Sequence, residues 1–327
     1  MIIAADGPIK MLLQQEFPAN TFICLPQYNV RYSSNPGLLI WRLFLQVPGV
    51  INTILKENRL LKKIVKEYSI DTIISDNRFG LFNSNVHSIY ITHQLGFKSG
   101  NAFFNFIALK IHHWVIKKYA CCWVPDFEKQ PVAGLLSHPT KIPRNVKYIG
   151  CLSRFEKAEE KEIKYDLLVL ISGPEPQRTV FEEIVLKQLS DYPGHVLVVR
   201  GLPDVDESSK NKQQDKQNII FKNHVNAQEL SVIVQQSGLV VCRSGYTTIM
   251  DLIKIKQAAI LIPTPGQPEQ EYLADYLTSQ RVFYSVKQKD FVLKEAVKKA
   301  KEFQCRFPAA AMDGYVKIIK ELLSKEF

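Results

Sequence analysis

Short apolar runs alternate with longer amphipathic stretches along most of this chain. Uncharged runs of this length are typical of parallel strands that are buried on both faces. They occupy residues 21–25, 72–74, 88–91, 122–124, 167–171, 196–199, 239–242 and 259–262. The stretches with helical periodicity include residues 51–68, 103–119, 181–190 and 227–237. Strands that alternate with helices predict the α/β class, with doubly wound parallel sheets.

The series of strands and helices begins again in the middle of the chain. A charge-rich stretch at residues 156–164 separates the two series. The chain has 327 residues, whereas one domain typically has ~100–200. We therefore predict two Rossmann-like domains, residues 1–155 and 156–327, with the last helix, at 314–325, packing back on the first domain. Residues 203–217 predict an exposed loop inside the second domain.

Charge and cysteine content restrict the partners. The net charge of +10 favours anionic partners such as nucleotide phosphates, anionic lipid or nucleic acid. The basic residues are spread along the chain without a nucleic-acid motif, so we predict no nucleic-acid partner. The six cysteines are scattered without a CxxC pair, which predicts a reducing, cytoplasmic compartment and no metal site or cofactor. Neither a signal peptide nor a bilayer-spanning apolar stretch is visible.

Ligands of open α/β sheets bind beyond the carboxyl ends of the strands, and three such loops carry unusual residues. The first, at residues 171–179, contains Ser172 and Gly173. Gly173 permits close backbone approach, and the free N–H groups at the start of the next helix favour an anion. An ordinary proline-rich turn accounts for the same residues, so both interpretations stay open.

The second loop, at residues 240–251, runs from a strand into small hydroxyl residues and then into a helix. Its hydroxyls and backbone N–H groups suit a diphosphate. Asp251, about one turn into the helix, can accept both hydroxyls of a ribose. Helix capping is the alternative, but it does not explain so many polar groups at one strand exit. The predicted donor-binding residues here are Arg243, Ser244, Gly245, Tyr246, Thr247, Thr248 and Asp251.

The third loop, at residues 262–272, is a proline- and glycine-containing turn that leads into a helix with a polar first turn. Glu269 and Gln270 are placed to contact sugar hydroxyls. Acidic residues in a first helical turn also complement the helix dipole. The spacing does not decide between these two interpretations.

The region from residue 239 to about 277 resembles the donor-binding half of the family-28 glycosyltransferases, which have the GT-B fold. The residues that carry the resemblance are Cys242, Arg243, Ser244, Gly245, Thr248 and Asp251. It implies two domains facing each other across a cleft, a uridine nucleotide whose ribose is bound by Asp251, and a sugar contacted by Gln270. The chain departs from the pattern at Ala274, where the family has Asn, so the sugar stays unspecified.

Weaker similarity to this family extends upstream. Gly150 and Arg154 match a Gly-x-x-x-Arg segment at the domain junction, which implies that Arg154 faces the donor. The loop of Ser172 and Gly173 stands where the family has a Gly-Gly-Ser-rich loop, but continues as Pro-Glu-Pro-Gln. The resemblance places His224 and Val225 near the uracil base.

The N-terminal half is expected to hold the acceptor and the catalytic base. Family members carry a Gly-rich loop with a His after their first strand, whereas residues 1–7 of this chain resemble their second strand. We therefore expect the chain as given to be a poor catalyst, which an added strand, loop and helix would improve. Two candidates for the base remain at strand exits, Asp76 and His93. The alternative role of Asp76 is that of a turn or cap residue, and the alternative role of His93 is that of a structural histidine.

Two segments combine aromatic and basic residues in a way that suits a membrane surface. These are residues 35–50, with Trp41 and Arg42, and residues 103–119, with Trp114 and several lysines. The same segments can instead be helices that cover the N-terminal sheet. We predict a cytoplasmic protein, with peripheral binding to the inner face of an anionic cell membrane as an open alternative.

These observations converge on a hexosyltransferase, of the inverting type implied by the resemblance. It would transfer a hexose or N-acetylhexosamine from a UDP-sugar to the hydroxyl of a glycan or lipid-linked acceptor of the cell envelope. Two alternatives are kept: a UDP-sugar epimerase of the same fold, and a catalytically weak nucleotide-binding protein. An epimerase would return an isomerised sugar instead of free nucleotide and a glycosylated acceptor.

Overall fold

The structure is a computed structural model that describes residues 1–28, 36–98, 102–158, 162–202, 218–309 and 314–324. Side chains are described throughout these ranges except at residues 8, 36–45 and 102–104. The loop predicted at 203–217 lies outside the described residues, and so do the side chains of Trp41 and Arg42. Within the described ranges, the helices are too short or too polar to cross a membrane.

The N-terminal half consists of parallel strands connected mainly by helices. The strands are β1 (Ile2–Ala5), β2 (Thr21–Cys24), β3 (Thr72–Asp76), β4 (His87–Ile91), β5 (Cys121–Val124) and β6 (Val146–Tyr148). The helices are α1 (Gly7–Glu16), α2 (Pro36–Tyr68) and α3 (Ala102–Ile116). Prediction and structure agree on the strands at 21–25, 72–74, 88–91 and 122–124 to within two residues.

The N-terminal strands form two ladders. Strand β1 pairs with β2, and β3, β4, β5 and β6 form a second sheet in that order. Among the described residues, no ladder joins the two sheets, and Ile74 on the edge strand β3 remains 51% exposed. Side chains connect them instead: Arg78, just after β3, donates to Asp6 after β1 at 2.8 Å and to the carbonyl of Pro26 after β2 at 2.5 Å.

The C-terminal half is a second series of the same kind. Its strands are β7 (Leu167–Leu170), β8 (Val196–Val199), β9 (Ile219–Lys222), β10 (Val240–Cys242), β11 (Ala259–Leu261) and β12 (Tyr284–Ser285). Its helices are α4 (Gln177–Leu189), α5 (Ala227–Gln235), α6 (Tyr246–Lys254), α7 (Pro268–Ser279), α8 (Leu293–Glu302) and α9 (Gly314–Leu323).

All C-terminal strands are parallel, in the order β12-β11-β10-β7-β8-β9. With β7 numbered as the first strand and the order read from the β9 edge, this is the Rossmann order 3-2-1-4-5-6. In this order the direction of winding reverses between the first and the fourth strand. The reversal here lies between β7 and β10. A crevice for a ligand is expected at this point, between the loops that follow these two strands.

The two faces of the C-terminal sheet are both buried, as uncharged strands require. Because side chains alternate along a strand, Leu167 and Val169 of β7 pack against helix α4 through Phe181, while Leu168 packs on the opposite face with Ile249 of α6. The sheet is therefore rigid, and the loops at its carboxyl edge start from fixed positions.

The core of the C-terminal half continues into the N-terminal half. Val132 and Leu136, from the loop after β5, pack in one cluster with Leu273 of α7. Gly134 of this loop lies so near α7 that a Cβ atom would stand 2.5 Å from the hydroxyl oxygen of Tyr272. Helix α9 lies against the N-terminal sheet, where Ile318 packs beside Trp123 and Ile149. The two halves thus contact each other at both the α7 and the α9 side.

Candidate functional site

Asp251 lies on the inner side of α6, at the contact between the two halves. Its side chain is only 4% exposed, and its Oδ1 accepts a hydrogen bond from the hydroxyl of Ser153 at 2.6 Å. Burial raises the pKa of Asp251, while the bond from Ser153 and the positive charge of Arg154 lower it. A carboxylate that already accepts a hydroxyl from the domain junction is suited to accept the hydroxyls of a ribose.

The loop after β10 is tied to the loop after β11 by hydrogen bonds. Ser244 is fully buried, and its hydroxyl donates to the carbonyl of Gln270 at 2.8 Å. The side-chain oxygen of Gln270 accepts the backbone N–H of Thr264 at 3.0 Å. Gly245 caps α6, and Thr247 and Thr248 follow in its first turn, where unpaired backbone N–H groups suit an anion.

Arg243 lies behind these loops rather than at their surface. It is 2% exposed and donates to the carbonyls of Ile262 at 3.2 Å and Gln177 at 3.0 Å. Its guanidinium stands 4.2 Å from the ring centroid of Phe181, and burial lowers its pKa to about 10. In this structure Arg243 therefore holds the three strand-exit loops together, and its predicted contact with the donor stays a prediction.

The loop after β7 carries Ser172 and Gly173 at the surface, and Gly173 has a φ of 106°, which favours glycine. Ion pairs behind the loop support it. Arg178 binds Glu182 at 2.9 Å, and Arg200, just after β8, binds the same carboxylate. This cluster was not predicted from the sequence, where its signal was an Arg in the predicted loop 171–179 and a Glu four residues later in the predicted helix.

Thr264 is a further residue of the site that was not predicted from the sequence. It is 1% exposed, and its Oγ1 has no hydrogen-bond partner within the described residues. This atom stands 3.8 Å from the position of a Cβ on Gly173, so it lies between the first and the third loop. Buried polar atoms are nearly always paired, which makes this hydroxyl a candidate donor-binding group. Its sequence signal is a threonine between two prolines directly after a strand.

Asp76 is the last residue of β3, and His93 follows the adjacent strand β4, on the other side of the contact. The carboxyl of Asp76 is accessible, yet it is surrounded by enough protein to raise its pKa, and the charge of nearby His93 lowers that pKa. His93 lies against the C-terminal half, where its Nε2 stands 2.8 Å from Oε1 of Glu269. An accessible carboxylate whose pKa is raised is a stronger base than an ordinary carboxylate and is suited to accept a proton.

Behind these groups, a chain of polar side chains leads into α3. The hydroxyl of Tyr90 donates to Asn77 at 3.0 Å and stands 3.3 Å from Nε2 of His112. Burial lowers the pKa of His112 to about 4, so this imidazole is neutral at physiological pH. This chain was not predictable from the sequence, because its members are far apart along it and form no local pattern.

The remaining predicted site residues lie at the edges of the site. Arg154 is exposed and stands 3.9 Å from Glu16. His224 is exposed in the loop after β9, whereas Val225 is 7% exposed and packs in the core. The predicted contacts of His224 and Val225 with the uracil base of the donor stay predictions. Within the described ranges, no cluster of three or more His, Cys, Asp or Glu side chains is placed to hold a metal ion.

Comparison with known proteins identifies the class of the C-terminal half. Residues 177–324 match the model of the glycosyltransferase family 28 C-terminal domain. The chain is 24% identical over 160 residues to a UDP-N-acetylglucosamine–N-acetylmuramyl-(pentapeptide) pyrophosphoryl-undecaprenol N-acetylglucosamine transferase from Caldanaerobacter subterraneus subsp. tengcongensis. This match covers 45% of the chain and 43% of that enzyme, so it spans less than half of the enzyme's length.

Solved structures resemble the chain over almost its whole length. The glycotransferase of kitacinnamycin has a TM-score of 0.57 at 13% identity, covering 98% of this chain and 94% of its own. A protein described as a UDP-N-acetylglucosamine 2-epimerase from Listeria monocytogenes has a TM-score of 0.55 at 12% identity, covering 100% and 97%. At these identities the likeness shows the fold alone.

Together these findings define a GT-B protein, built of parallel α/β halves whose strand exits meet. Residues 177–324 match the C-terminal domain of the family-28 glycosyltransferases, so this part of the chain is of the family-28 type. Both the predicted fold and the predicted family resemblance are thereby confirmed.

Proposed function

We propose that this protein transfers a sugar from a UDP-sugar to a hydroxyl of a lipid-linked acceptor of the cell envelope. The observation that carries the proposal is the buried carboxylate of Asp251, which accepts a hydroxyl at the junction of the two halves within a family-28 domain. The relative from Caldanaerobacter, whose name specifies such a donor and such an acceptor, supports both parts.

The donor half supplies binding and orientation. Asp251 accepts the ribose hydroxyls, and the first turn of α6 at Thr247 and Thr248 binds the diphosphate through N–H and hydroxyl groups. The loop after β7, with Ser172 and Gly173, faces the same phosphates across the reversal point of the sheet. Glu269 and Gln270 then lie at the sugar end.

The acceptor half supplies the base. Asp76 takes the proton from the acceptor hydroxyl, whose oxygen forms a bond to the anomeric carbon as the bond to the diphosphate breaks and UDP leaves. The attack occurs on the face opposite to the leaving group, so the anomeric configuration is inverted. His93, whose charge acts on Asp76, lies beside this proton transfer.

Replacing Asp251 by alanine should weaken the binding of UDP by about 1–3 kcal/mol, the usual range for loss of a hydrogen bond to a charged group. Isothermal titration calorimetry measures this difference. Asp275, exposed on α7, offers a matched control, and Asp275→Ala should bind UDP as the unsubstituted protein does. Unchanged affinity in a folded Asp251→Ala protein would rule out this role of Asp251.

Epimerisation is the alternative reaction, because the chain resembles the Listeria protein in fold. Analysis of the products distinguishes transfer from epimerisation. The protein is incubated with a radiolabelled UDP-sugar and a lipid-linked glycan. Transfer produces free UDP and labelled lipid. An isomerised UDP-sugar without labelled lipid would instead establish an epimerase.

A membrane-facing surface on α3 fits the lipid-linked acceptor. Ile107, Ile111 and Trp114 are exposed on this helix, the last two by 56% and 61%. The ammonium groups of Lys110 and Lys118 lie over the rings of Phe106 and Trp114, at 4.5 and 4.7 Å from the ring centroids. Exposed apolar groups combined with lysines suit the interface of an anionic bilayer.

A Lys110→Gln/Lys118→Gln protein should bind phosphatidylserine-containing vesicles with about 2 kcal/mol less free energy, since each lysine near such a surface contributes about 1 kcal/mol. Vesicle sedimentation at low ionic strength measures the difference. The control is Lys298→Gln/Lys299→Gln on α8, where both lysines are exposed. Equal losses in the two double variants would show that net charge, rather than α3, governs binding.

A further inference from the structure

Tyr246 opens helix α6 within the donor loop, but its side chain points to the opposite half of the protein. The residue is only 6% exposed. Its ring lies parallel to the imidazole of His93, with 4.2 Å between the ring centroids and 10° between the planes. Its hydroxyl donates to the carbonyl of Pro125, the residue after β5, at 2.6 Å. The ring is thus held against the N-terminal half by a stacked imidazole and by a hydrogen bond.

Glu269 holds the same histidine at its edge. Its Oε1 stands 2.8 Å from Nε2 of His93, and its other carboxylate oxygen accepts a hydrogen bond from the side chain of Gln94. The stacked ring therefore fixes the plane of the His93 imidazole, and the carboxylate fixes the rotation of the imidazole within that plane. Both groups belong to the C-terminal half, whereas His93 belongs to the N-terminal half.

We propose that Tyr246 and Glu269 are positioning residues for His93, so that the acceptor-side imidazole is oriented only when the donor half lies against it. This inference rests on the proposed function and deepens it. Because Tyr246 is in the first turn of α6 and Glu269 in that of α7, the two loops assigned to the donor also orient a group assigned to the acceptor. Donor binding and proton transfer then both depend on the first turns of α6 and α7.

The loss of a positioning residue and the loss of a merely structural contact differ in their effects on kcat and KM. Misplacement of a catalytic group by about 1 Å can cost about 10²-fold in rate, and such a loss lowers kcat without a rise in the KM for the donor. Tyr276 offers a matched comparison, because its hydroxyl also donates to a proline carbonyl of the N-terminal half, that of Pro131, at 2.9 Å. It has no described contact with His93.

The first test compares three variants in a steady-state transfer assay with a UDP-sugar and a lipid-linked glycan. Tyr246→Leu should lower kcat by about 10- to 100-fold with the donor KM within about twofold of the original value. Tyr246→Phe keeps the stacked ring and should retain most of kcat, and Tyr276→Leu should retain it as well. Equal losses of kcat in Tyr246→Leu and Tyr276→Leu would overturn the proposal.

The second test does not depend on turnover, so it separates failure of this inference from failure of the proposed function. In the NMR spectrum, the ring protons of His93, assigned with His93→Gln, should be shifted upfield by the stacked tyrosine. The shift should persist in Tyr246→Phe and vanish in Tyr246→Leu, and Glu269→Gln should broaden or move the same signals. A His93 spectrum that is identical in all variants would overturn the proposal whatever the enzymatic activity.

Discussion

An Asp76→Asn protein should lose about 10²- to 10⁴-fold in kcat, the usual contribution of a general base, while its affinity for UDP stays unchanged. The amide is nearly isosteric with the carboxylate but cannot take the proton of the acceptor hydroxyl. Transfer kinetics at saturating acceptor, together with calorimetry of UDP binding, measure the two effects. A kcat within a few-fold of the original would exclude Asp76 as the base and direct attention to His93.

The pH dependence of the same reaction has a definite sign. Burial raises the pKa of Asp76, and the base acts only when deprotonated. Activity should therefore fall as the pH decreases through this raised pKa, at a higher pH than for an ordinary carboxylate. Because the charge of His93 lowers the pKa of Asp76, His93→Gln should move this acid limb of the profile to still higher pH. An unmoved limb would contradict the coupling.

Replacing Arg78 by methionine should lower the free energy of unfolding by about 3–5 kcal/mol, the usual result when one partner of a buried ion pair is removed. Glu57 is fully buried, and Arg78 Nε donates to its Oε1 at 2.6 Å. Without Arg78, the donors that remain to the carboxylate among the described residues are the neutral groups of Tyr28 and Gly80. Urea unfolding monitored by circular dichroism measures the change, and Arg59→Met, exposed on α2, is the control.

A double variant distinguishes the loss of an ion pair from the loss of bulk. Glu57→Met/Arg78→Met removes the buried charge along with its partner, so it should be more stable than Arg78→Met alone. If the double variant were as unstable as the sum of the two single variants, the ion pair would contribute nothing specific.

The strands of this protein were predictable where they are continuous apolar runs. The runs that became β7, β8, β10 and β11 have no polar face, so each had to be a strand buried on both sides, and their ends located the loops of the site. Strand β9 carries Lys222 and follows residues that lack apolar runs, and β12 has two residues. Neither β9 nor β12 was predicted, because pairing with neighbours, rather than local composition, makes such short segments strands.

The sequence by itself determined the alternation of strands and helices, and with it the α/β class. It also determined which loops carry polar groups, and that Asp251 lies about one turn into α6 in a region that matches the family-28 C-terminal domain. It could not determine in which direction a side chain in these loops points. Arg243 and Tyr246 are near neighbours of Ser244, yet one turns behind the loops and the other turns towards His93 in the opposite half. The packing of Phe181 and the carbonyls of the neighbouring loops decide the first direction, and the docking of the two halves decides the second. Contacts between side chains of different loops leave no local pattern in the sequence, so only the tertiary structure reveals them.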